Sequence, residues 1–300
     1  VVLPTADQKS GACKATFLLL VLTAERKNMN SFMSWVGGKK NLRDEVLARF
    51  PPYYERYIEV FGGAGWVLFH KPPGMDFEVY NDFNGNLSNL YRCVRDKPNK
   101  LKYKLRYVLN SREDFDRIAL LHKRGIFEKL CDADRASKFY QLIRYSYASG
   151  LDSFGSQPHS MWSDFPMIDL AARRLQKVVV ENKDFEKLIR QYDRPVSFFY
   201  CDPPYFATEN YYKDVGFTAK DHIRLRDALL DIKGRFLVSY NDCPEIREIW
   251  HKPNIHIEEI SRLNNLAQRY DGGCQYAELL ISNYDTSERA KAIKQLSLFD

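Results

Sequence analysis

Seven short runs dense in β-branched and aromatic residues recur along the chain. They are YIEVF (57–61), FEVYN (77–81), KVVVE (177–181), VSFFYC (196–201), RFLVSY (235–240), IHIEEI (255–260) and ELLIS (278–282). Such runs suit a pleated, packed surface and read as strands. Between many of them the apolar positions move to helical spacing. GNLSNLYRCVRD (85–96) puts Leu87, Leu90, Tyr91 and Val94 on one face, and AKDHIRLRDALLDI (219–232) puts Ile223, Leu225, Leu229 and Ile232 near one face, with Lys233-Gly234 as a stop. Strands alternating with helices predict an α/β fold with a mostly parallel sheet of about seven strands and helices on both faces.

One interval breaks the rhythm. FEVYN and KVVVE stand about 95 residues apart, too far for a single crossover. Beyond the first helix this span reads as an inserted, mainly helical lobe over 97–165. The expected organisation is a main unit of 29–96 and 166–290, the lobe 97–165, and a tail 291–300. Residues 1–28 differ in character. Their apolar run Thr16–Ala24 is far short of the roughly 20 residues that span a bilayer. Lys9 and Lys14 before it give a signal-like outline, but nothing downstream looks secreted. We read 1–28 as an extension upstream of an ordinary start near Met29 or Met33.

With 45% hydrophobic and 28% charged residues, the 300-residue chain has the ordinary composition of a soluble globular enzyme, and its length suits one large domain with a sizeable insertion or two domains. The net charge of +6 permits an anionic partner without requiring one. The six cysteines are scattered with no CxxC pair, so neither a zinc site nor a disulfide framework is indicated, and none of the six histidines has a metal-binding spacing. Free thiols in a reducing cytoplasm, and no metal, are the expectation.

Two stretches carry candidate chemistry. In YIEVFGGAGWVLF (57–69) a strand runs into a glycine turn and then a helix start, where Gly62, Gly63 and Gly65 would let backbone approach a ligand. Asp82 follows Gly62 by 20 residues, the distance at which an acid can hold ribose hydroxyls. The third small residue of a dinucleotide fingerprint is missing, and WVGGKKN (35–41) lacks P-loop spacing. By itself the turn could be no more than a tight βα connection. In the second stretch, SFFYCDPPYF (197–206), an apolar strand stops on an acid, two prolines and an aromatic. Pro203 and Pro204 remove two N–H donors, Asp202 adds an acceptor, and Tyr205 adds a flat face. That set suits an exocyclic amine on a planar ring, although DPPY alone also reads as a plain strand-terminating turn.

FGGAG (61–65), Asp82 and DPPY (202–205), in this order, resemble an S-adenosylmethionine-dependent DNA amino-methyltransferase. SWVGGKKNL (34–42) is similar to the N-terminal motif of the Dam-like, D12-class adenine-N6 group, in which a Trp and a Lys contact the cofactor; Trp35 and Lys39 take those positions. EVFGGAG (59–65) resembles its acid-x-Phe-x-Gly-x-Gly motif through Glu59, Phe61, Gly63 and Gly65, and Asp82 matches its ribose-binding acid. FTAKDHIRL (217–225), FLVSYND (236–242) and YAELLISN (276–283) are similar to later family segments. The resemblance covers about 31–284, and the motif order is that of the α group. It implies a Rossmann-like methyltransferase sheet carrying an inserted DNA-recognition lobe, with S-adenosylmethionine as cofactor and double-stranded DNA as partner. It also implies transfer of a methyl group to a flipped-out adenine. Asp202 and the Pro203 carbonyl would take the amino hydrogens, Tyr205 would stack on the base, and Lys39 would meet the cofactor carboxylate. Cytosine-C5 chemistry is disfavoured because no Pro-Cys dipeptide is present. Cytosine-N4 or RNA adenine methylation, and an inactive DNA-binding module, are the other readings; intact Lys39, Asp82 and Asp202 argue against the last.

The lobe departs from the family. Where better-studied members carry an Asn-Arg pair and a Gly-Phe-Asn-Val-Pro-like segment, this chain reads RYSYASGLDSFGSQPHS (144–160), so its DNA target is not legible. Lys100, Lys102, Lys104 and Arg106, interleaved with Tyr103 and Tyr107, and Arg144 are the expected DNA-binding cations, while 146–155 is the expected base-reading loop. A solvated helix face would look the same. Finally, Gln295-Leu-Ser-Leu-Phe299 resembles the short peptide by which bacterial replication and repair proteins bind the sliding clamp.

Overall fold

The computed structural model describes residues 29–35, 37–206, 216–263 and 275–296. The apolar run of the first 28 residues lies outside them, as do Ser297, Leu298 and Phe299 of the clamp-like peptide.

All seven expected strands form. They are β1 (Arg56–Glu59), β2 (Phe77–Asn81), β3 (Val178–Glu181), β4 (Ser197–Cys201), β5 (Arg235–Asn241), β6 (His256–Leu263) and β7 (Gln275–Ser282). They make one sheet in the order β3-β2-β1-β4-β5-β7-β6. The first five are parallel, and β7 enters antiparallel between β5 and β6. The chain reverses direction across the sheet at β1, which pairs with β2 on one side and β4 on the other. Ligands of open α/β sheets bind beyond the carboxyl ends of strands at such a switch point.

The strands explain their own placement. Every residue of β4 is buried, as a central parallel strand requires. The side chains of β4 and of the strands around it alternate between two cores. Tyr57, Tyr80, Phe198, Tyr200 and Leu237 face one, and Ile58, Val79, Phe199, Cys201 and Val238 face the other. Full burial of one such apolar side chain contributes about 1.5–3 kcal/mol.

The second core is closed by α8 (Phe185–Tyr192), α9 (Ala219–Leu230) and α10 (Pro244–Trp250). The first is closed by α1 (Arg43–Ala48), α2 (Trp66–His70) and α3 (Gly85–Asp96), and by the helices that lie between β2 and β3: α4 (Pro98–Leu105), α5 (Arg112–Lys123), α6 (Asp132–Tyr145) and α7 (Phe165–Arg174). These inserted helices share the hydrophobic core of the sheet: Phe139, Leu142 and Ile143 of α6 pack with Leu87, Leu90 and Tyr91 of α3. The chain continues into α11 (Glu288–Leu296).

Helix α3 buries the four residues its periodicity indicated, and Asn84 caps it by accepting from the N–H groups of Asn86 and Leu87. Helix α9 differs from expectation. It ends at Leu230 and buries His222, Leu225 and Leu229, while Ile223 is 44% exposed. The polar-looking His222 belongs to the inner face because its Nδ1 meets the Tyr240 hydroxyl at 2.9 Å, a partner that periodicity does not reveal.

Candidate functional site

The carboxyl ends of β1, β2 and β4 open onto a cavity of about 340 Å³. The glycine turn forms its floor. A β-carbon at Gly62 would collide with the Tyr80 ring, and Gly63 has a φ of +50°, with a β-carbon there 3.1 Å from the Trp35 ring. Gly63 N–H donates to Asp82 Oδ2 at 2.9 Å, and Asn84 N–H donates to Asp82 Oδ1 at 2.8 Å. Asp82 is thereby fixed at the end of β2. Burial pushes its carboxyl up to about 6, against the two N–H donors that favour its ionised form.

Glu59, the last residue of β1, lines the same cavity and is 2% exposed. The Tyr57 hydroxyl donates to its Oε2 at 2.7 Å. Burial raises its carboxyl to about 8, with the Tyr57 hydroxyl and a backbone N–H of Leu68 opposing that rise. Asp202, at the end of β4, forms an ion pair with the buried Lys39. Its carboxyl is raised by burial and pulled back by the Lys39 charge and hydrogen bond. Ser239 donates to the same oxygen, Oδ1, at 3.1 Å.

Of the residues read from sequence as cofactor-binding, Trp35, Lys39, Glu59, Phe61, Gly63, Asp82 and Asp202 all border the cavity. Gly65 does not line it. With a φ of 62° it caps the N-terminus of α2 and shapes the turn from behind. Pro204 is in the wall. Tyr205 stands beside it, half-buried, with its hydroxyl donating to Glu278 Oε2 at 2.7 Å and the Lys39 ammonium 4.4 Å from its ring centre.

Sequence reading missed much of the remaining wall. Asp184 and Phe185 follow β3, and Phe217, Asp221 and Arg224 come from the start of α9. The rings of Phe61, Phe185 and Phe217 lie 5.6–6.0 Å apart and form one apolar side. Arg224 reaches over Phe185 and pairs with Asp184 and Asp221. Phe83, directly after Asp82, lines the cavity and is 53% exposed. Phe217, Asp221 and Arg224 fall in FTAKDHIRL, whose family likeness carried no role for them, and no motif announces Phe83, Asp184 or Phe185, because these side chains converge from separate loops.

The loop read as base-contacting, 146–155, contributes Ser149, Gly150 and Leu151 to the cavity wall. Ala148, Ser149 and Leu151 all have positive φ, and Ser149 Oγ meets Ser34 Oγ at 2.6 Å. Non-glycine residues held in that region cost of order 1 kcal/mol each and persist where surroundings over-determine them.

The cations assigned to DNA separate into two groups. Lys102 pairs with Asp169, Lys104 with Asp134, and Arg144 with Asp164, which also meets His159. Lys100 is exposed, and Arg106 lies over the exposed Trp162 ring at 5.4 Å. Arg112, also exposed, sits over Phe154 at 4.9 Å. Among the described residues no cluster of three or more His, Cys, Asp or Glu could hold a metal ion, and no helix is long and apolar enough to cross a membrane.

The profile of the D12 class N6 adenine-specific DNA methyltransferases matches residues 35–265. A Type II methyltransferase, M1.LlaDCHI of Lactococcus lactis subsp. cremoris, is 28% identical over 286 residues, covering 88% of this chain and 99% of that protein. The DNA adenine methylase of Escherichia coli K12 is 28% identical over 261 residues, covering 79% and 89%. That of Haemophilus influenzae is 27% identical over 241 residues, covering 73% and 82%.

Proposed function

The chain belongs to the D12 class of N6 adenine-specific DNA methyltransferases, and we propose that its cavity binds S-adenosylmethionine while the Asp202–Tyr205 turn holds the adenine amino group. The reaction is methylation of adenine N6 in DNA. The observation that carries the proposed site is the meeting of Glu59, Asp82, Lys39 and Asp202 around one cavity with an aromatic side.

Those residues fit the cofactor by charge and shape. Glu59, buried and without a lysine or arginine among its described hydrogen-bond partners, suits an ammonium. Asp82 suits ribose hydroxyls. Lys39 has three donor hydrogens, so it can keep Asp202 and also take a carboxylate. Phe61, Phe83, Phe185 and Phe217 offer faces for an adenine ring, and Trp35 packs over the glycine turn. When bound, this cofactor supplies a methyl group on a sulfonium sulfur.

The acceptor side is built from Asp202, Pro203, Pro204 and Tyr205. Flipping the base out of the duplex costs a few kcal/mol. Asp202 and the Pro203 carbonyl accept the two amino hydrogens, and the Tyr205 ring supports the base. Holding both hydrogens turns the nitrogen lone pair toward the cavity, and such positioning supplies much of the rate. Lys100, Arg106 and Arg112 take phosphates. Lys102, Lys104 and Arg144 stay with their acids and shape the lobe. Gln295–Phe299 serves as a peptide for the sliding clamp, so deleting 295–300 should abolish a clamp pull-down.

The purified Asp202→Ala protein should unfold cooperatively but transfer no tritiated methyl to DNA lacking adenine methylation. Wild-type-like transfer would overturn this assignment.

A further inference from the structure

Two polar side chains stand inside strands that are otherwise packed with hydrocarbon. Ser239 on β5 is fully buried between Val238 and Tyr240, and Glu278 on β7 is 1% exposed beside Leu279, Leu280 and Ile281. Burying such groups is unfavourable unless they are hydrogen-bonded, and an apolar residue would fill either place more cheaply. Both point at the turn that ends β4. Ser239 Oγ donates to Asp202 Oδ1 at 3.1 Å, and Glu278 Oε2 accepts from the Tyr205 hydroxyl at 2.7 Å.

The topology makes this possible. Entry of β7 beside β5 puts Glu278 opposite Asn241, just past Ser239. The two side chains therefore meet the turn from neighbouring strands, one at its acid and one at its aromatic. Lys39 and Ser239 both bind Oδ1 of Asp202, and among the described residues Oδ2 carries no hydrogen bond. A phenol tied at its hydroxyl to a carboxylate fixed in a strand keeps its ring in one plane, which a stacking platform needs.

We propose that Glu278 is a positioning residue of the methyl-acceptor site, holding the Tyr205 ring by its hydroxyl so that a flipped adenine meets a preset face, while Ser239 holds Asp202 so that Oδ2 is presented to the amino group. The inference rests on the reading of Asp202–Tyr205 as the base clamp. Glu278 acts through Tyr205 and does not touch the base.

The test uses four full-length variants, Glu278→Leu, Glu278→Gln, Tyr205→Phe and the double variant Glu278→Leu/Tyr205→Phe. Tritiated methyl transfer is measured at saturating chromosomal DNA that lacks adenine methylation, and cofactor affinity is measured by calorimetry. A misplacement of about 1 Å costs on the order of 100-fold in rate. Glu278→Leu should therefore lower kcat by roughly 10–100-fold with cofactor affinity within about threefold of wild type. Glu278→Gln keeps an oxygen acceptor and should recover most of kcat. Tyr205→Phe, which keeps the ring and removes only the hydroxyl, should lose as much as Glu278→Leu, and the double variant should be no worse than either. Full kcat in Tyr205→Phe, multiplied losses in the double variant, or parallel loss of kcat and cofactor affinity would each overturn the proposal. If Glu278→Leu fails to fold, Tyr205→Phe and Glu278→Gln decide it. An inactive Asp202→Ala with active Tyr205→Phe would reject the brace alone, and an active Asp202→Ala would reject the clamp itself.

Discussion

Lys39 and Asp202 form an ion pair that joins the glycine segment before α1 to the carboxyl end of β4. The ammonium also lies over the Tyr205 ring, so one buried lysine touches both the acid and the aromatic of the turn that ends β4. Removing one partner of a buried pair leaves the other uncompensated, at about 3–5 kcal/mol. Asp202 is 18% exposed in its side chain, which places the loss toward the lower end.

Lys39→Met therefore acts on pH dependence as well as on stability. Burial raises the Asp202 carboxyl, and the Lys39 charge is the main influence opposing that rise. Without Lys39 the carboxyl titrates higher still, and only its ionised form can accept both bonds asked of it. The acidic limb of kcat/KM against pH should move to higher pH in Lys39→Met. An unmoved limb would show that Lys39 does not set the state of Asp202.

Glu59 gives a second titration. Its carboxyl sits at about 8 in the ligand-free protein, so at pH 7 it is mostly protonated. An ammonium prefers the ionised form, so binding S-adenosylmethionine at pH 7 should release most of a proton. Calorimetry in buffers of different ionisation enthalpy reads that release directly, and Glu59→Gln should remove it. Stability follows with the opposite sense from an ordinary salt-bridged acid. A group raised in the folded state binds a proton that the unfolded chain has lost, so stability falls as pH rises from about 4.5 to 8. Glu59→Gln should flatten that fall in urea titrations.

How much of this was legible depends on how local the signal is. The stop of β4 is visible in SFFYCDPPYF because a continuous apolar run and two prolines act within ten residues. Asp82 is visible because a strand end and a glycine turn fix its distance. The meeting of Asp184 and Phe185 with Phe217 and Arg224 is not, since it joins the segment after β3 to the start of α9, which stand far apart in sequence. Ser239 and Glu278 read as ordinary strand interior; the parallel β4–β5 register brings Ser239 to Asp202, and the antiparallel insertion of β7 brings Glu278 to the same turn. The cations of α4 carry the reverse lesson. Their spacing suggests a DNA face, but it does not show that Lys102 and Lys104 pair with Asp169 and Asp134, which are distant in sequence.

The glycine floor yields a packing prediction. An added β-carbon at Gly62 strikes the Tyr80 ring, which cannot retreat because it is stacked on Tyr91 with centroids 3.8 Å apart. The Tyr80 hydroxyl also donates to the Gly63 carbonyl at 2.7 Å, so a displaced ring carries the turn with it. Gly62→Ala should cost about 1–3 kcal/mol in urea denaturation, as overpacking of a filled core does. Cofactor affinity should fall with it, because the shifted turn is the floor of the cavity. Stability and affinity both like wild type would mean the floor is more compliant than its contacts indicate.

The same pairing that hides in sequence separates the lysines by salt. A cation that meets a phosphate releases about 0.9 counterion, which appears as the slope of log K against log salt. Lys100 and Arg106 are exposed, and Arg106 rests on Trp162 without an acid among its described contacts. Lys100→Ala and Arg106→Ala should each lower the slope by roughly 0.9 while weakening binding to all duplexes alike. Lys104 already spends its charge on Asp134, so Lys104→Ala should leave the slope unchanged. Fluorescence anisotropy on one labelled duplex across a salt series measures all three. Equal slope losses at positions 100, 104 and 106 would mean that Asp134 releases Lys104 to the DNA, and that the ion pairs of the lobe are a resting arrangement which binding exchanges.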